Sequence, residues 1–377
     1  MKDRTKFLIL VLLALLVIGL YLSLGLTPKN YKYALSRRVP KVIAIVATAF
    51  SIAVSTGVFQ TVTNNNILTP SVMGLDSLYL LIQTLIVFGL GSSSRLVVDS
   101  NLNFLLNTGL MVLFSVLLFK VLFRGDLGSH NIFRLLLIGM IAGTFFQSLS
   151  SFMQMIIDPN EFLVLQGRMF ASFNSIDTGI LTVSLSIMAL VFVVLGFYLR
   201  KLDVVALGRD HAINLGVDYD KLVQKMLVLV SVLVSVSTGL VGPITFLGLM
   251  VVNVARQVLK KVKHGSLLLA SSLLGVVALI GGQLLVERVL NFISGGWGKR
   301  IQLEDNEEYL KKSFDFINVT ELESFMYTVR KARYGKGRIT GRELQQVKLF
   351  YNSFVNRILG DLPFIRRVLL KLILLVN

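Results

Sequence analysis

The feature that most constrains this chain is a series of apolar runs that occupies most of residues 1–296. They lie near residues 7–26, 42–62, 72–91, 103–123, 132–152, 178–199, 225–241, 243–259 and 266–286. A helix of about 20 apolar residues crosses the hydrocarbon core of a bilayer. Because that core offers the backbone no water, we predict an all-α, polytopic transmembrane helical bundle of about nine to ten spans.

The composition excludes two other classes of protein. Hydrophobic residues make up 54% of the chain and charged residues only 16%, whereas soluble domains carry about 25% charged residues. An ordinary soluble enzyme and a disordered chain are both excluded on this ground. Since the chain has no cysteine, it has no disulfide, thiolate metal site or cysteine nucleophile. We attribute the net charge of +17 to basic loops at a membrane surface and expect no nucleic-acid partner.

The distribution of Lys and Arg predicts the orientation in the membrane. With a cytoplasmic N-terminus, the inside segments carry about twice as many basic residues as the outside segments. The first apolar run follows Lys2, Arg4 and Lys6, and no cleavage site follows it, so we predict a retained span. The basic cluster from Lys29 to Lys41 would face outside against the general tendency, and a docking partner there would explain it.

The composition changes near Trp297, where charged residues become frequent. We therefore predict two domains, a transmembrane domain over residues 1–296 and a charged, helical C-terminal appendage over 297–377 whose role is unknown. The apolar end of this appendage, residues 364–376, is too short to span a bilayer and suits an interfacial helix.

A short internal repeat accompanies the apolar runs. Ser55-Thr56-Gly57-Val58 ends one run and Ser237-Thr238-Gly239-Leu240 ends another, and the two spans are predicted to run in opposite directions. Inverted repeats with helices interrupted by Gly or Pro are typical of transport folds. The match is so short that chance remains an alternative explanation.

The sequence contains no Gly-x-x-x-x-Gly-Lys-Ser/Thr phosphate loop, Gly-x-Ser-x-Gly elbow or His-Glu-x-x-His motif,. We therefore expect no catalytic residues, no cofactor and no enzymatic activity, with ATP hydrolysis on a separate subunit. His130, His211 and His264 fall in predicted loops without metal-binding spacing, so we interpret them as solvated loop residues and expect no metal site. The near absence of acidic residues within the spans argues against a carrier driven by protons or sodium.

Four polar segments interrupt the apolar pattern, and each has a simple structural explanation. Residues 38–41 precede a span and could be an interfacial anchor. Residues 60–74 contain several amides and could form a turn or an irregular segment packed inside protein. Residues 207–217 could form a short amphipathic surface helix ended by Gly216. Residues 242–249 could be a kink within a span.

Taken together, in this order and spacing, the four segments resemble the FecCD-type permease family of ABC importers for iron-siderophores, haem and vitamin B12. The resemblance covers about residues 7–291. The matching positions are Arg38, Pro40, Gly57, Gln60, Asn65, Pro70, Gly74, Leu207, Gly208, Ala212, Leu215, Gly216, Val217, Gly242, Ile244, Phe246, Gly248, Leu249 and Arg256. Val252 and Asn253 replace the usual Pro-His pair. Asn253 and the sequence of residues 281–288 most resemble the ferric-siderophore branch of the family.

The resemblance implies a type II ABC importer permease-like fold in the bacterial plasma (inner) membrane. The chain would form the translocation pathway for ferric-siderophore uptake together with a second permease subunit, as a homodimer or heterodimer. A cytoplasmic ABC ATPase dimer and an extracytoplasmic substrate-binding protein would be its other partners. Two alternatives remain open: a permease for haem, cobalamin or another metal chelate, and a membrane scaffold or sensor whose soluble tail carries the function.

The resemblance also implies three sets of functional residues. Contact with the ATPase is expected from Leu207, Gly208, Arg209, His211, Ala212, Leu215 and Gly216. The pathway or its gate is expected near Gln60, Asn65, Asn66, Pro70, Gly74, Gly239, Gly242 and Gly248. Docking of the binding protein is expected at Arg38, Lys41 and Arg288, with Lys41 where Arg is usual. The last span of the family is missing, because residues 291–296 lead directly into the charged appendage.

Overall fold

A computed structural model describes residues 3–23, 31–122, 131–174, 176–259 and 263–294, and the single residues 345 and 349. Within these ranges the regular elements are all helical. The α-helices are α1 Asp3–Ser23, α2 Tyr31–Val62, α3 Leu75–Leu90, α4 Arg95–Val98, α5 Ser100–Leu122, α6 Asn131–Ile156, α7 Pro159–Met169, α8 Thr178–Val205, α9 Arg209–Asn214, α10 Tyr219–Val241, α11 Leu247–Val258 and α12 His264–Ser294. A 3-10 turn, Pro70–Met73, precedes α3.

The predicted all-α membrane bundle is confirmed. In the described part of the chain, 7 helices are long and apolar enough to cross a membrane, namely α1, α2, α5, α6, α8, α10 and α12. Two shorter apolar helices, α3 and α11, occupy the remaining predicted runs. Both begin later than the apolar pattern suggests, because the 70–73 turn and the segment from Gly242 to Phe246 take non-α conformations before them.

The centre of the bundle is formed by α2 and α10. Helix α10 packs against α2, α5 and α8, and α3 packs mainly against α6. On α10, Met226, Leu227 and Leu233 are fully buried. By contrast, α1 leaves Leu8 and Leu15 each 60% exposed. In a chain with this many apolar helices, such exposed side chains mark the surfaces that lipid or another subunit would cover.

The chain divides into two units of contacting residues, Met1–Gln283 and Leu284–Asn377, and the division falls inside α12. The predicted domain boundary at 296/297 remains a prediction. The predicted appendage lies outside the described residues apart from Gln345 and Leu349, which are both helical. The sites described below lie in the first unit, apart from the predicted docking residue Arg288.

Candidate functional site

The amides after α2 organise an irregular loop. Asn64 takes a left-handed conformation with φ 48°, which Asn tolerates better than most residues. The backbone N–H of Asn65 donates to the carbonyl of Gln60 at 3.0 Å, and the Asn65 side chain accepts from the N–H of Ile67 at 2.9 Å. Gln60 Nε2 donates to the carbonyl of Asn66 at 2.8 Å. The amide side chains of this predicted segment therefore form hydrogen bonds with its irregular backbone.

Helix α11 joins this loop through two side chains. Arg256 Nη2 donates to Gln60 Oε1 at 3.1 Å, and Asn253 Nδ2 donates to the carbonyl of Asn66 at 3.2 Å. The amide of Gln60, which is 1% exposed, thus links the loop to α11. The structure thus joins the predicted loop to α11, the helix that continues the predicted segment 242–248. Asn253 and Arg256 were noted as motif positions but were missed as site residues, although their i,i+3 spacing on one helix face was a usable signal.

A small cavity of about 20 Å³ lies where α2, the 70–73 turn, α10 and the segment after α10 meet. Its lining is Ile52, Ser55, Thr56, Thr69, Pro70, Ser71, Asp76, Val234, Ser237, Thr238, Gly242, Ile244 and Thr245. Both copies of the Ser-Thr repeat therefore face the same cavity. The Tyr219 hydroxyl at the start of α10 lies 3.4 Å from the carbonyl of Val62 at the end of α2. These contacts show that the two helices run in opposite directions.

Asp76, in the first turn of α3, is the one carboxylate that lines this cavity. The side chains of Ser71 and Thr245 approach it, but its buried Oδ2 atom has no hydrogen bond of acceptable geometry. Asp76 is not among the predicted site residues, because the sequence indicates only that acidic residues are scarce in the spans. Its position at the start of a predicted run, next to Pro70 and Gly74, was the available signal.

The glycines predicted at the gate are positions of close packing. A Cβ atom on Gly248 would lie 2.0 Å from Thr56 Oγ1, and one on Gly239 would lie 2.5 Å from Thr108 Oγ1. Gly74 has φ +78°, and its Cβ would lie 2.9 Å from the Cα of Gly143 on α6. Only glycine allows these approaches of helix to helix. Gly248 packs α11 on α2 beside the cavity, whereas Gly239 faces α5 and Gly74 faces α6.

Two further predicted gate residues also take special conformations. Gly242 ends α10 with φ +94°, and its Cβ would lie 3.0 Å from the carbonyl oxygen of Phe170. Pro70 is buried at the first position of the 3-10 turn, where its missing N–H costs nothing. Both residues line the cavity. The predicted gate residues thus surround the junctions at which helices are broken.

Helix α9 forms a short connection between α8 and α10, at the position expected for the ATPase contact. Gly208 before it and Gly216 after it have φ +101° and +80°, values that favour glycine. Leu207 and Leu215 are 59% and 63% exposed, and His211 is also exposed. An exposed pair of leucines on a polar loop is a candidate contact surface.

One expectation for this segment is wrong. Ala212 was expected to face a groove on the ATPase, but it is 0% exposed and belongs to the core beneath α9. Its small side chain lets α9 lie close to its own bundle. Arg209 also contacts α10, because its guanidinium lies 5.9 Å from the centre of the Tyr219 ring and 3.8 Å from Asp220 Oδ2.

The start of α10 anchors the other end of this connection. Asp218 caps the helix by accepting from the N–H of Lys221, and its carboxylate lies 2.8 Å from Lys221 Nζ. The hydrogen bond from the Lys221 side chain lowers the pKa of Asp218. Asp218 and Lys221 are both exposed, so this pair is a surface feature.

The interpretation of His264 as a solvated loop residue is also wrong. Its side chain is 4% exposed, with Nε2 2.7 Å from Thr61 Oγ1 and Nδ1 2.7 Å from Asp203 Oδ1. Asp203 also accepts from the backbone N–H of His264 at 2.8 Å and so caps α12. The cluster of Thr61, Asp203 and His264 joins α2, α8 and α12. The prediction fails because packing of these helices buries His264, whereas its position near a loop suggested a solvated side chain.

The two groups that contact the His264 ring can both act as hydrogen-bond acceptors. The hydroxyl of Thr61 donates to the carbonyl of Gly57 at 2.9 Å, so it is available to His264 as an acceptor. The carboxylate of Asp203 is an acceptor as well. Both partners of the ring can therefore accept a hydrogen bond from an imidazole N–H.

Two of the predicted docking residues, Arg38 and Lys41, form hydrogen bonds within the chain. Arg38 Nη1 donates to the carbonyls of Tyr21 and Leu22 at 3.3 and 3.2 Å, where a cation is favourable at the C-terminal end of α1. Lys41 Nζ donates to Asn174 Oδ1 at 2.8 Å. Arg288 lies in α12, but its side chain is outside the described residues. The docking role of all three stays a prediction.

Among the described residues, no group of three or more His, Asp or Glu side chains could hold a metal ion.

The bundle of apolar helices, broken where polar and glycine-rich segments meet, defines the class of this protein as a polytopic membrane transport permease. The model of the FecCD transport family matches residues 6–295. The chain therefore belongs to the FecCD transport family.

Two relatives agree with this assignment, and one solved structure shares the fold. The petrobactin import system permease protein YclO of Bacillus subtilis (strain 168) is 53% identical over 292 residues, covering 78% of this chain and 91% of the relative. The petrobactin import system permease protein FatC of Bacillus anthracis is 35% identical over 272 residues, covering 70% and 76%. A metal-chelate type ABC transporter solved in an inward-facing conformation matches with a TM-score of 0.62 at 21% identity, covering 74% of this chain and 88% of that one. At that identity the structural match supports the fold alone.

Proposed function

We propose that this chain is the permease subunit of an ABC importer that takes up ferric petrobactin or a closely related ferric siderophore. The observation that carries the proposal is the 53% identity to a petrobactin import permease over 91% of its length. Membership of the FecCD family makes the chain a transport subunit, and we propose that it has no catalytic activity of its own.

The partners follow from the same family. We propose a cytoplasmic ATPase dimer, an extracytoplasmic binding protein and a second permease subunit, in a bacterial inner membrane with the N-terminus inside. The exposed Leu207, His211 and Leu215 support α9 as the ATPase contact, with Ala212 as the buried residue that positions it. ATP-driven closure of the ATPases would move α9 and so change access to the pathway, which is a coupling between separated sites.

The gate in this proposal is the junction of Gln60, Asn66 and Arg256. Its hydrogen bonds connect a loop to a separate helix, so opening requires them to break or to exchange. Thiol labelling on this cysteine-free chain tests the assignment. Cysteines at Asn65 and Asn66 should react at different rates with and without nucleotide, whereas a cysteine at exposed Met155 should not. Equal rates in both states would remove these residues from the gate.

Uptake of radiolabelled chelates, with labelled iron in petrobactin and haem and labelled cobalt in cobalamin, tests the substrate in a strain that lacks its own petrobactin permease. The chain, expressed with its neighbouring ATPase and binding-protein genes, should restore uptake of iron–petrobactin but not of haem or cobalamin. Restored uptake of haem or cobalamin alone would favour the metal-chelate alternative.

A truncation tests the remaining alternative, a scaffold or sensor whose tail carries the function. The family match ends at residue 295, and we propose a domain boundary at 296/297. A chain ending at residue 296 should keep iron–petrobactin uptake if the tail is dispensable. Loss of all uptake, in a protein that still inserts and binds its ATPase, would assign an essential role to the tail.

A further inference from the structure

The cavity between α2, the 70–73 turn and α10 is lined by a carboxylate that has no counter-charge. Asp76 Oδ2 is buried and has no hydrogen bond, and the side chains that line the cavity with it are apolar or carry hydroxyl groups. None of these described lining residues is Lys, Arg or His. A carboxylate with a buried oxygen and no counter-charge is unfavourable, and a bound proton or cation would stabilise it. The chain itself provides no counter-charge at this position.

The size and chemistry of the cavity suit a small ion. A volume of about 20 Å³ is enough for one water-sized occupant. Neutral oxygens are available from Ser71 and Thr245, which approach the carboxylate, and from Thr69 and Ser237 in the lining. Calcium usually takes several carboxylates, and magnesium retains several waters in an octahedral shell. One carboxylate surrounded by hydroxyls is therefore better matched to a monovalent cation.

We propose that Asp76, with the hydroxyls of Ser71 and Thr245, binds Na⁺ between the 70–73 turn and the segment that joins α10 to α11. Ser71 belongs to the 70–73 turn and Thr245 to the segment between α10 and α11, so the ion would link two elements that are far apart in sequence. The exposed position of Thr245 provides an entry route. The ion would stabilise one arrangement of these elements over others, whichever chelate is transported.

Thermal unfolding of the full-length chain in lipid nanodiscs tests the site. NaCl replaces N-methyl-D-glucamine chloride at constant ionic strength and pH. A ligand that binds only the folded state raises the unfolding temperature with concentration, so the wild type should shift by a few degrees and saturate. Asp76→Asn and Thr245→Val should lose this shift. Asp158→Asn is the matched control, because Asp158 is an exposed helix cap that Asn can replace.

Three results would overturn the proposal. The first is a wild-type unfolding temperature that depends on pH but not on Na⁺, which would assign a protonated carboxylic acid to Asp76. The second is a sodium shift that persists in Asp76→Asn, and the third is an equal loss of the shift in Asp158→Asn. If Asp76→Asn does not fold, Thr245→Val and the response of the wild type to Na⁺ in place of N-methyl-D-glucamine still decide the question.

Discussion

Two carboxylates in this bundle, Asp203 and Asp76, differ in the partners that folding provides. Asp203 accepts from the backbone N–H and the imidazole of His264, and its side chain is still 40% exposed. Asp76 has a buried oxygen without a hydrogen bond. Asp203 therefore links helices through hydrogen bonds, whereas the buried oxygen of Asp76 is available to a bound ion. The difference separates a structural polar cluster from a candidate binding site.

Removing His264 should have the largest effect on stability. His264→Leu deletes the link between α2, α8 and α12 and leaves Asp203 and Thr61 without this partner. We expect the free energy of unfolding to fall by about 1–3 kcal/mol, measured by chemical denaturation in detergent. The control is His211→Leu, an exposed position where the change should stay within about 0.5 kcal/mol. Equal effects of the two substitutions would mean that the His264 cluster is not structural.

Adding a Cβ atom at Gly248 should disturb the cavity that Asp76 lines. A Cβ at this position meets Thr56 Oγ1 at 2.0 Å, so Gly248→Ala should displace Thr56 and cost about 1–3 kcal/mol of stability. Uptake should fall as well, measured by accumulation of radioactive iron. Gly196→Ala is the control, because nothing lies within 4 Å of its added Cβ. A fully active, stable Gly248→Ala variant would contradict the close packing of α11 on α2.

Removing the charge of Asp203 and that of Asp76 should have different effects on the free energy of unfolding. Asp203→Asn should lower the free energy of unfolding by about 1 kcal/mol, because a charge-assisted hydrogen bond is lost. Asp76→Asn, measured without sodium, should leave it unchanged or raise it by up to about 1 kcal/mol, because an uncompensated charge is removed. Destabilisation of similar size in both variants would show that Asp76 has a partner within the chain.

Substitution on the exposed face of α9 should change activity without changing stability. Leu215→Arg adds a charge at a site that is 63% exposed, so the unfolding temperature should stay constant while ATP hydrolysis is uncoupled from uptake. Ala212→Arg should instead destabilise the chain, because the Ala212 side chain is fully buried. Normal uptake by a correctly folded Leu215→Arg variant would remove α9 from the ATPase contact.

The smallest effect is expected at Asp218, a carboxylate that is exposed and paired. Its pKa is lowered in the folded state by Lys221, so its contribution to stability is present above the ordinary Asp pKa of about 3.9. That contribution is lost as the pH falls through the lower folded value. Lys221→Met should therefore reduce a small part of the pH dependence of unfolding below that pH. An unchanged pH profile would show that solvent and salt screen the pair completely.

Much of the fold could be predicted because the apolar runs are long and separate. All nine predicted runs correspond to helices in the described residues, including the short α3 and α11. Their starting points were less accurate, since the turns at Gly74 and Gly242 depend on φ values of +78° and +94° that hydropathy does not encode. The three sets of site residues were proposed from motif spacing, and Ala212 shows the limit of that method. An alanine motif position does not reveal whether the side chain faces a partner or its own core.

The sequence by itself determined the membrane class, the helical fold and the family, because these follow from local hydropathy and from motifs within single segments. Tertiary structure alone decided which polar groups meet. Arg256 reaches Gln60 across 196 positions, and His264 reaches Thr61 across 203. Such contacts depend on how each helix is rotated and crossed against its neighbours, and side-chain packing across the whole bundle sets those angles. For the same reason, the unpartnered oxygen of Asp76 became visible only after α2, α3 and α10 were placed together.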